Sequence, residues 1–147
     1  MNFYNFFMGN QQSIRKIGYE DVQYIIQHKK ENYFLINTLG TNEQSCLIPD
    51  TTSIHDEVSL LNKYINKKIH IIVYGKNAND ETIFKKYEQL LGLGFKSVFV
   101  YTGGLFEWLL LQDVYGIEEF PTDGDEMDIL KYKPNTVLQN QFLLENG

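Results

Sequence analysis

The 147-residue chain has one cysteine, Cys46, three prolines, one tryptophan and no surplus of positive charge. Each shortage excludes something. A single thiol can form no internal disulfide and supplies no ligand set for a structural zinc site, which fits a reducing compartment. Thirteen Lys and Arg against nineteen Asp and Glu leave a net charge of −6, so there is no basic footprint for nucleic acid and little attraction to acidic lipid. No apolar run reaches the roughly 18 residues that a membrane-spanning helix needs. The aromatic start, Phe3-Tyr4-Asn5-Phe6-Phe7, is too short for a signal-peptide core and lacks basic residues ahead of it. These absences lead us to expect a cytoplasmic protein.

What remains is a globular composition. Hydrophobic residues at 43% suffice for one continuous core, and charged residues at 22% are too few to hold the chain unfolded. Patterning predicts an alternation of helices and strands. Val22, Ile25 and Ile26 fall on one face of a helix over about residues 19 to 29, begun by Glu20 and Asp21. Tyr33-Phe34-Leu35-Ile36 reads as a buried strand, ended by Gly40-Thr41-Asn42. Val58, Leu61 and Ile65 mark a second helix, and Ile69 to Tyr74 is the most strand-like segment of the chain. Ile83, Tyr87, Leu90 and Leu91 mark a third helix, closed by Gly92 to Gly94. Ser97 to Tyr101 makes a further strand, Gly103-Gly104 a turn, and Leu105, Trp108 and Leu109 the buried stripe of a fourth helix, with Phe106 beside it. Such an alternation implies an α/β fold with a mainly parallel central sheet and helices on both faces. Ligands of these sheets bind beyond the carboxyl ends of the strands, which directs attention to the loop after Tyr74.

Five segments, in order, carry a resemblance. Phe34-Leu35-Ile36-Asn37 stands in place of an acidic "ID-x-R" strand, and Leu47-Ile48-Pro49-Asp50-Thr51 resembles "HIPGA". Ile71-Ile72-Val73-Tyr74 resembles a central strand that delivers a catalytic loop. Leu91-Gly92-Leu93-Gly94-Phe95 with Val98-Phe99-Val100 is similar to "L-x-x-x-GF-x-x-V-x-x-L", and Gly103-Gly104-Leu105-Phe106-Glu107-Trp108 is similar to "GG-x-x-x-W". From about Ile17 to Trp108 the chain therefore resembles the rhodanese-like domain family. The resemblance implies a three-layer fold over residues 15–118, with an amino-terminal extension at 1–14 and a carboxyl-terminal extension at 119–147. Nothing after about Val114 has a counterpart in the family's pattern.

The departures from that pattern bear on function. The resemblance implies a nucleophilic cysteine at the position of Gly75, in a loop whose amides cradle a persulfide or an anion, often with an arginine near its end. Here the loop reads Gly75-Lys76-Asn77-Ala78-Asn79-Asp80, followed by Glu81, with no cysteine and no arginine. Asp80 and Glu81 stand at the helix start, where carboxylates interact favourably with the macrodipole and compete with an anionic ligand. Asn37 and Leu39 occupy places where the family usually has an aspartate and an arginine. The expectation is a non-catalytic binding or regulatory module whose partner is another protein, met through the loop from Gly75 to Asp80 and the surface around Gly103-Gly104, with no cofactor and no metal. The alternative is a sulfurtransferase or redox-sensing protein that uses Cys46, although no Lys or Arg beside Cys46 in sequence would lower its pKa.

Other candidates have plainer readings. His28, His55 and His70 lack metal-ligand spacing, and Asp123-Gly124-Asp125-Glu126-Met127-Asp128 lacks the spacing of a calcium loop and reads as a solvated helix start. Asn79 suits a helix cap. The tail from Pro134 to Gly147 is either loose or docks on a partner. Met8-Gly9-Asn10-Gln11-Gln12-Ser13 matches an N-myristoylation pattern followed by Arg15 and Lys16, so reversible membrane association would follow if Gly9 became amino-terminal, through a start at Met8 or processing.

Overall fold

The computed structural model describes residues 13–146; the acylation pattern at Gly9, which applies only if that residue becomes amino-terminal, lies outside the described residues. Four parallel strands form one sheet in the order β1-β4-β3-β2: β1 is Lys16–Ile17, β2 Tyr33–Asn37, β3 His70–Tyr74 and β4 Val98–Tyr101. Tyr33 pairs with His70 and Asn37 with Tyr74, while Ile71 pairs with Val98 and Val73 with Val100. The three strands expected from sequence are thus neighbours, and Gly75 leaves the sheet at its carboxyl edge. The two-residue β1, paired to β4 through Lys16 and Val100, was not anticipated.

The period-two alternation of the strands sorts their side chains into two cores. Leu35, Ile72, Tyr74 and Tyr101 face α1 (Tyr19–His28) and α4 (Gly104–Tyr115). Ile36, Ile71, Val73, Val98 and Val100 face the layer of α2 (Glu57–Tyr64) and α3 (Thr82–Gly92). This is a three-layer α/β arrangement. The expected stripe of α3 is buried through Ile83, Tyr87 and Leu90, and that of α4 through Leu105, Trp108 and Leu109. For α2 the expected face holds at Leu61 only. Val58 and Ile65 are exposed, and Leu61 packs together with Tyr64, whose ring lies 5.1 Å from that of Phe34.

Residues 119–132 pack into the same core as the segment before them. Phe120 and Tyr132 are buried, and Trp108 donates its indole N–H to the Pro121 carbonyl at 2.8 Å. Leu47 and Asp123 exchange two backbone hydrogen bonds, at 3.0 and 2.8 Å, so the returning chain clamps the segment that carries Cys46. Asp123 is therefore a backbone pairing residue, and the helix that the acidic run leads into is the 3-10 helix Ile129–Tyr132, with Asp128 at its N-cap. Beyond it, the tail forms α5 (Leu138–Asn146), with Leu138, Leu143 and Leu144 exposed. No helix among the described residues is long and apolar enough to cross a membrane.

Trp108 is fully buried between Tyr101 and Phe120, with edge-on ring contacts at 6.1 and 5.1 Å. Replacing it with Ala should destabilise the fold by about 3–5 kcal/mol, read from denaturant midpoints at unchanged slope. A loss under about 1 kcal/mol would mean that this side chain does not hold the two segments together.

Candidate functional site

The loop after β3 is shaped from both ends. Tyr74 is anchored below it: its hydroxyl accepts the Ile48 N–H at 3.2 Å and lies 2.7 Å from Thr51 Oγ1, and burial pushes this phenol far above its ordinary range. The Tyr74 carbonyl accepts the Thr38 N–H, extending the β2–β3 pairing by one residue. On the other side, the Gly75 and Lys76 carbonyls accept the N–H groups of Leu105 and Phe106 at 2.9 and 2.8 Å. These are first-turn donors of α4, which would otherwise lack partners. Such an approach leaves no room for a side chain at Gly104, where φ is +67° and an added Cβ would lie 2.7 Å from the Gly75 carbonyl oxygen. Gly104 is thus a buried packing position and not part of an exposed binding surface.

Gly75 is itself enclosed. An added Cβ would stand 2.6 Å from Asp80 Oδ2, 2.6 Å from Thr38 Oγ1 and 2.8 Å from Ile83 Cγ1, all inside contact distance. The Asp80 carboxylate turns back into the loop. Its Oδ2 accepts the Lys76 N–H at 3.1 Å, and its Oδ1 accepts the Thr82 N–H at 3.1 Å and the Thr82 hydroxyl at 2.6 Å. Thr38 Oγ1 lies a further 2.8 Å from Thr82 Oγ1. Two backbone donors at this edge, those of Lys76 and Thr82, are thereby engaged by a carboxylate of the chain. Sequence reasoning assigned this role to Asp80 and Glu81 together, and the cap to Asn79; the structure gives both to Asp80. Glu81 is exposed and its side chain caps nothing, while Asn79 donates its own N–H to Asn77 Oδ1 at 2.9 Å.

Asn77, named in the candidate loop by sequence, has a partner that the sequence did not reveal. It is 6% exposed, and its Nδ2 donates to the Tyr132 carbonyl at 2.8 Å, tying the loop to a segment 55 residues away. Ala78 is exposed at the tip. Lys76 reaches outward to Glu43 at 3.2 Å. Above the loop lies a cleft of about 690 Å³, walled by Lys76, Asp80 and Lys85 on one side and by Lys131, Lys133 and Asn135 on the other.

Two further sequence features are resolved by geometry. Asn37 is 3% exposed and forms a reciprocal amide pair with Gln44, at 3.0 and 2.8 Å, while Asn37 Oδ1 also accepts the Leu39 N–H. A neutral pair sits where the resemblance implied a charged aspartate, and Leu39, 6% exposed, fills apolar space where it implied an arginine. Cys46 is fully buried, its thiol facing the Gly124 carbonyl at 3.7 Å. Burial pushes this thiol up; a hydrogen bond with Thr122 opposes the effect, and the nearby charges of Glu126 and Asp125 add to it. A nucleophilic thiolate needs the opposite surroundings. Among the described residues no group of three or more His, Cys, Asp or Glu is placed to hold a metal ion. His70 hydrogen-bonds Ser97 Oγ at 2.6 Å and stacks on Tyr33, and His28 stacks on Tyr24.

A parallel three-layer domain, with a short loop and a helix start at the carboxyl edge of its central strand, defines an α/β class with the loop as its candidate site. Within that class, residues 36–111 match the family model of the rhodanese-like domain, and the chain belongs to that family. No curated protein matches it closely enough to count as a relative. Among solved structures it is similar to the rhodanese-like domain of the Alr3790 protein from Anabaena sp., at 20% identity and a TM-score of 0.56 over 83% of this chain and 86% of that one. It is likewise similar to the BH2092 protein from Bacillus halodurans, at 18% identity and a TM-score of 0.60 over 95% and 96%. A thiosulfate sulfurtransferase from Pseudomonas aeruginosa matches at 15% identity and a TM-score of 0.59, over 88% of this chain and 25% of that one. At such identities the likeness shows the fold alone.

Replacing Asn77 with Ala strands the buried Tyr132 carbonyl and should cost about 1–3 kcal/mol, with faster amide exchange in residues 129–133. Alkaline stability should also respond to the buried hydroxyls and thiol. Cys46 stays protonated in the fold above its ordinary 9.0, where the unfolded chain ionises, so the fold binds more protons and stability declines as pH rises past that value. Tyr74 and Tyr101, raised from 10.0, extend the decline further upward. A thermal midpoint that stays flat from about pH 8 to 11 would contradict this, and Cys46→Ala should remove the earliest part of the fall.

Proposed function

We propose that this chain is a non-catalytic rhodanese-like module that acts by binding another protein at the carboxyl edge of its sheet. The observation that carries the reading is Gly75 with the Asp80 carboxylate against it. Sulfur transfer by a loop thiolate requires a nucleophile that attacks and then holds the transferred sulfur in a covalent intermediate, and a glycine hydrogen can do neither. The engaged donors of Lys76 and Thr82 support the same conclusion, because an incoming anion would have to displace Asp80. The remaining thiol, Cys46, is sealed in the core, so nothing favours the reading that uses it. The open cleft above the loop, with lysines and carboxylates interspersed, suits a polar protein segment better than an apolar small molecule.

The purified chain should show no thiosulfate sulfurtransferase, arsenate reductase or phosphatase turnover. Turnover that survives repurification and the Cys46→Ala substitution would contradict the reading. A Gly75→Cys change alone should not restore activity, since the new side chain meets Asp80 Oδ2 and Thr38 Oγ1 and the carboxylate disfavours a thiolate. In a Cys46→Ala background, the thiol of Gly75→Cys should alkylate at least about tenfold more slowly than that of Gly75→Cys with Asp80→Ala, a difference of about one pKa unit. Equal rates would mean that Asp80 does not control this position.

A further inference from the structure

α4 is apolar on both of its faces. Leu105, Trp108 and Leu109 are buried in the core, and Phe106, Leu110 and Val114 recur at i, i+4 and i+8 on the opposite side. Leu110 and Val114 are exposed, Val114 at 72%, and Ile117 in the turn beyond Gly116 is exposed as well. A helix at the surface ordinarily turns polar residues outward, so this row has the composition of a covered face. It is also firmly held. Gln112 Nε2 donates to the Phe120 carbonyl at 2.8 Å, Gln23 Nε2 donates to the Glu119 carbonyl at 2.8 Å, and Phe120 is buried. A face fixed in this way loses little entropy when something docks on it.

The charge around the row has a single sign. Between Lys96 and Lys131 the sequence holds eight Asp and Glu and no Lys, Arg or His. Asp113 flanks the row, and Glu118 and Glu119 follow Ile117; all three are exposed and without an ion-pair partner among the described residues. The carboxyl end of a helix favours a cation, yet the last turn of α4 contains Asp113 and no basic residue. The sign decides between occupants. A second copy of this chain, paired across a two-fold axis, would set these carboxylates against their own copies, and the anionic leaflet of a membrane would repel them too. A helix with an apolar stripe between lysines or arginines matches both parts of the face: its stripe meets Leu110, Val114 and Ile117, and its cations meet the carboxylates and the helix end.

We propose that the face formed by Leu110, Val114, Ile117 and Asp113 docks a basic amphipathic helix of a partner protein. Val114 lies about 15 Å along α4 from Gly104, which abuts the Gly75 loop, so this face is independent of whether the module has lost catalysis. The test titrates the full chain with a peptide of about 18 residues, built of leucine and lysine with the leucines at helical spacing, followed by calorimetry and by the NMR shifts of residues 106–119. Two control peptides each keep part of the pattern: one carries glutamate in place of lysine, and the other has the same composition in shuffled order. The patterned basic peptide should shift residues 106–119 and bind at least about tenfold more tightly than either control. Leu110→Gln and Val114→Gln, both at exposed positions, should leave the fold intact and each weaken it by about fivefold or more. Asp113→Asn combined with Glu118→Gln should weaken it by about threefold or more and reduce its salt dependence. Equal binding of the shuffled peptide would reduce the effect to the chain's net charge and overturn the proposal. So would shifts that are absent or confined to other residues. Self-association of the free chain that Val114→Gln abolishes would also overturn it, because the occupant would then be a second copy.

Discussion

The carboxylate of Asp80 on the backbone N–H of Lys76 is the contact around which the loop at the sheet edge is organised. It closes a turn of five residues from within, fixing the Gly75 and Lys76 carbonyls toward α4 and starting α3 through Thr82. A loop of this kind has several backbone donors that point at one place, and some oxygen acceptor must satisfy them. An outside anion is one solution. A side-chain carboxylate is another, and it has the advantage of a high effective concentration fixed by the chain itself. Because Gly75 lacks a Cβ, the carboxylate can approach the backbone there without a clash.

The replacements elsewhere follow the same physical logic. Removing one member of a buried charged pair leaves the other unpaired and costs several kcal/mol, whereas replacing both can be close to neutral. Asn37 and Leu39 are consistent with the second course, with Gln44 supplying the reciprocal amide so that no buried side-chain polar atom among the described residues is left without a partner. The loop is rigidified further by Asn77, whose amide spans from the loop to Tyr132. A loop held this way presents a fixed face, and fixed faces lose less entropy on binding than mobile ones.

Much of the fold was legible in the sequence because strands β2, β3 and β4 are short apolar runs bounded by turn residues, and because α3 and α4 keep one buried stripe. β1 was not legible: two residues, one of them lysine, carry no pattern, and they are extended because β4 offers them an edge. The face of α2 was legible only at Leu61, because a marginal helix at the border of a layer exposes much of its apolar surface, and the aromatic contact between Tyr64 and Phe34 decides the orientation. At the site, the missing cysteine and the acidic helix start could be read directly, since both are matters of residue type. That Asp80 turns inward while Glu81 turns out depends on backbone direction, which residue types alone do not reveal. The partnerships of Asn77 with Tyr132 and of Asn37 with Gln44 are tertiary, and the first joins the loop to a segment with no counterpart in the family's pattern.

Gly75 and Asp80 are therefore one feature and not two. A side chain at residue 75 needs the space that Asp80 Oδ2 fills, so restoring a nucleophile alone crowds a packed site at a typical cost of about 1–3 kcal/mol. Removing Asp80 alone leaves the N–H groups of Lys76 and Thr82 without their acceptor. Each single reversal is unfavourable while the other residue remains, which is the condition for coupling between neighbours in contact. The present loop is thus locally stable against change in either direction, and its lack of a thiol is built into its packing as well as its sequence.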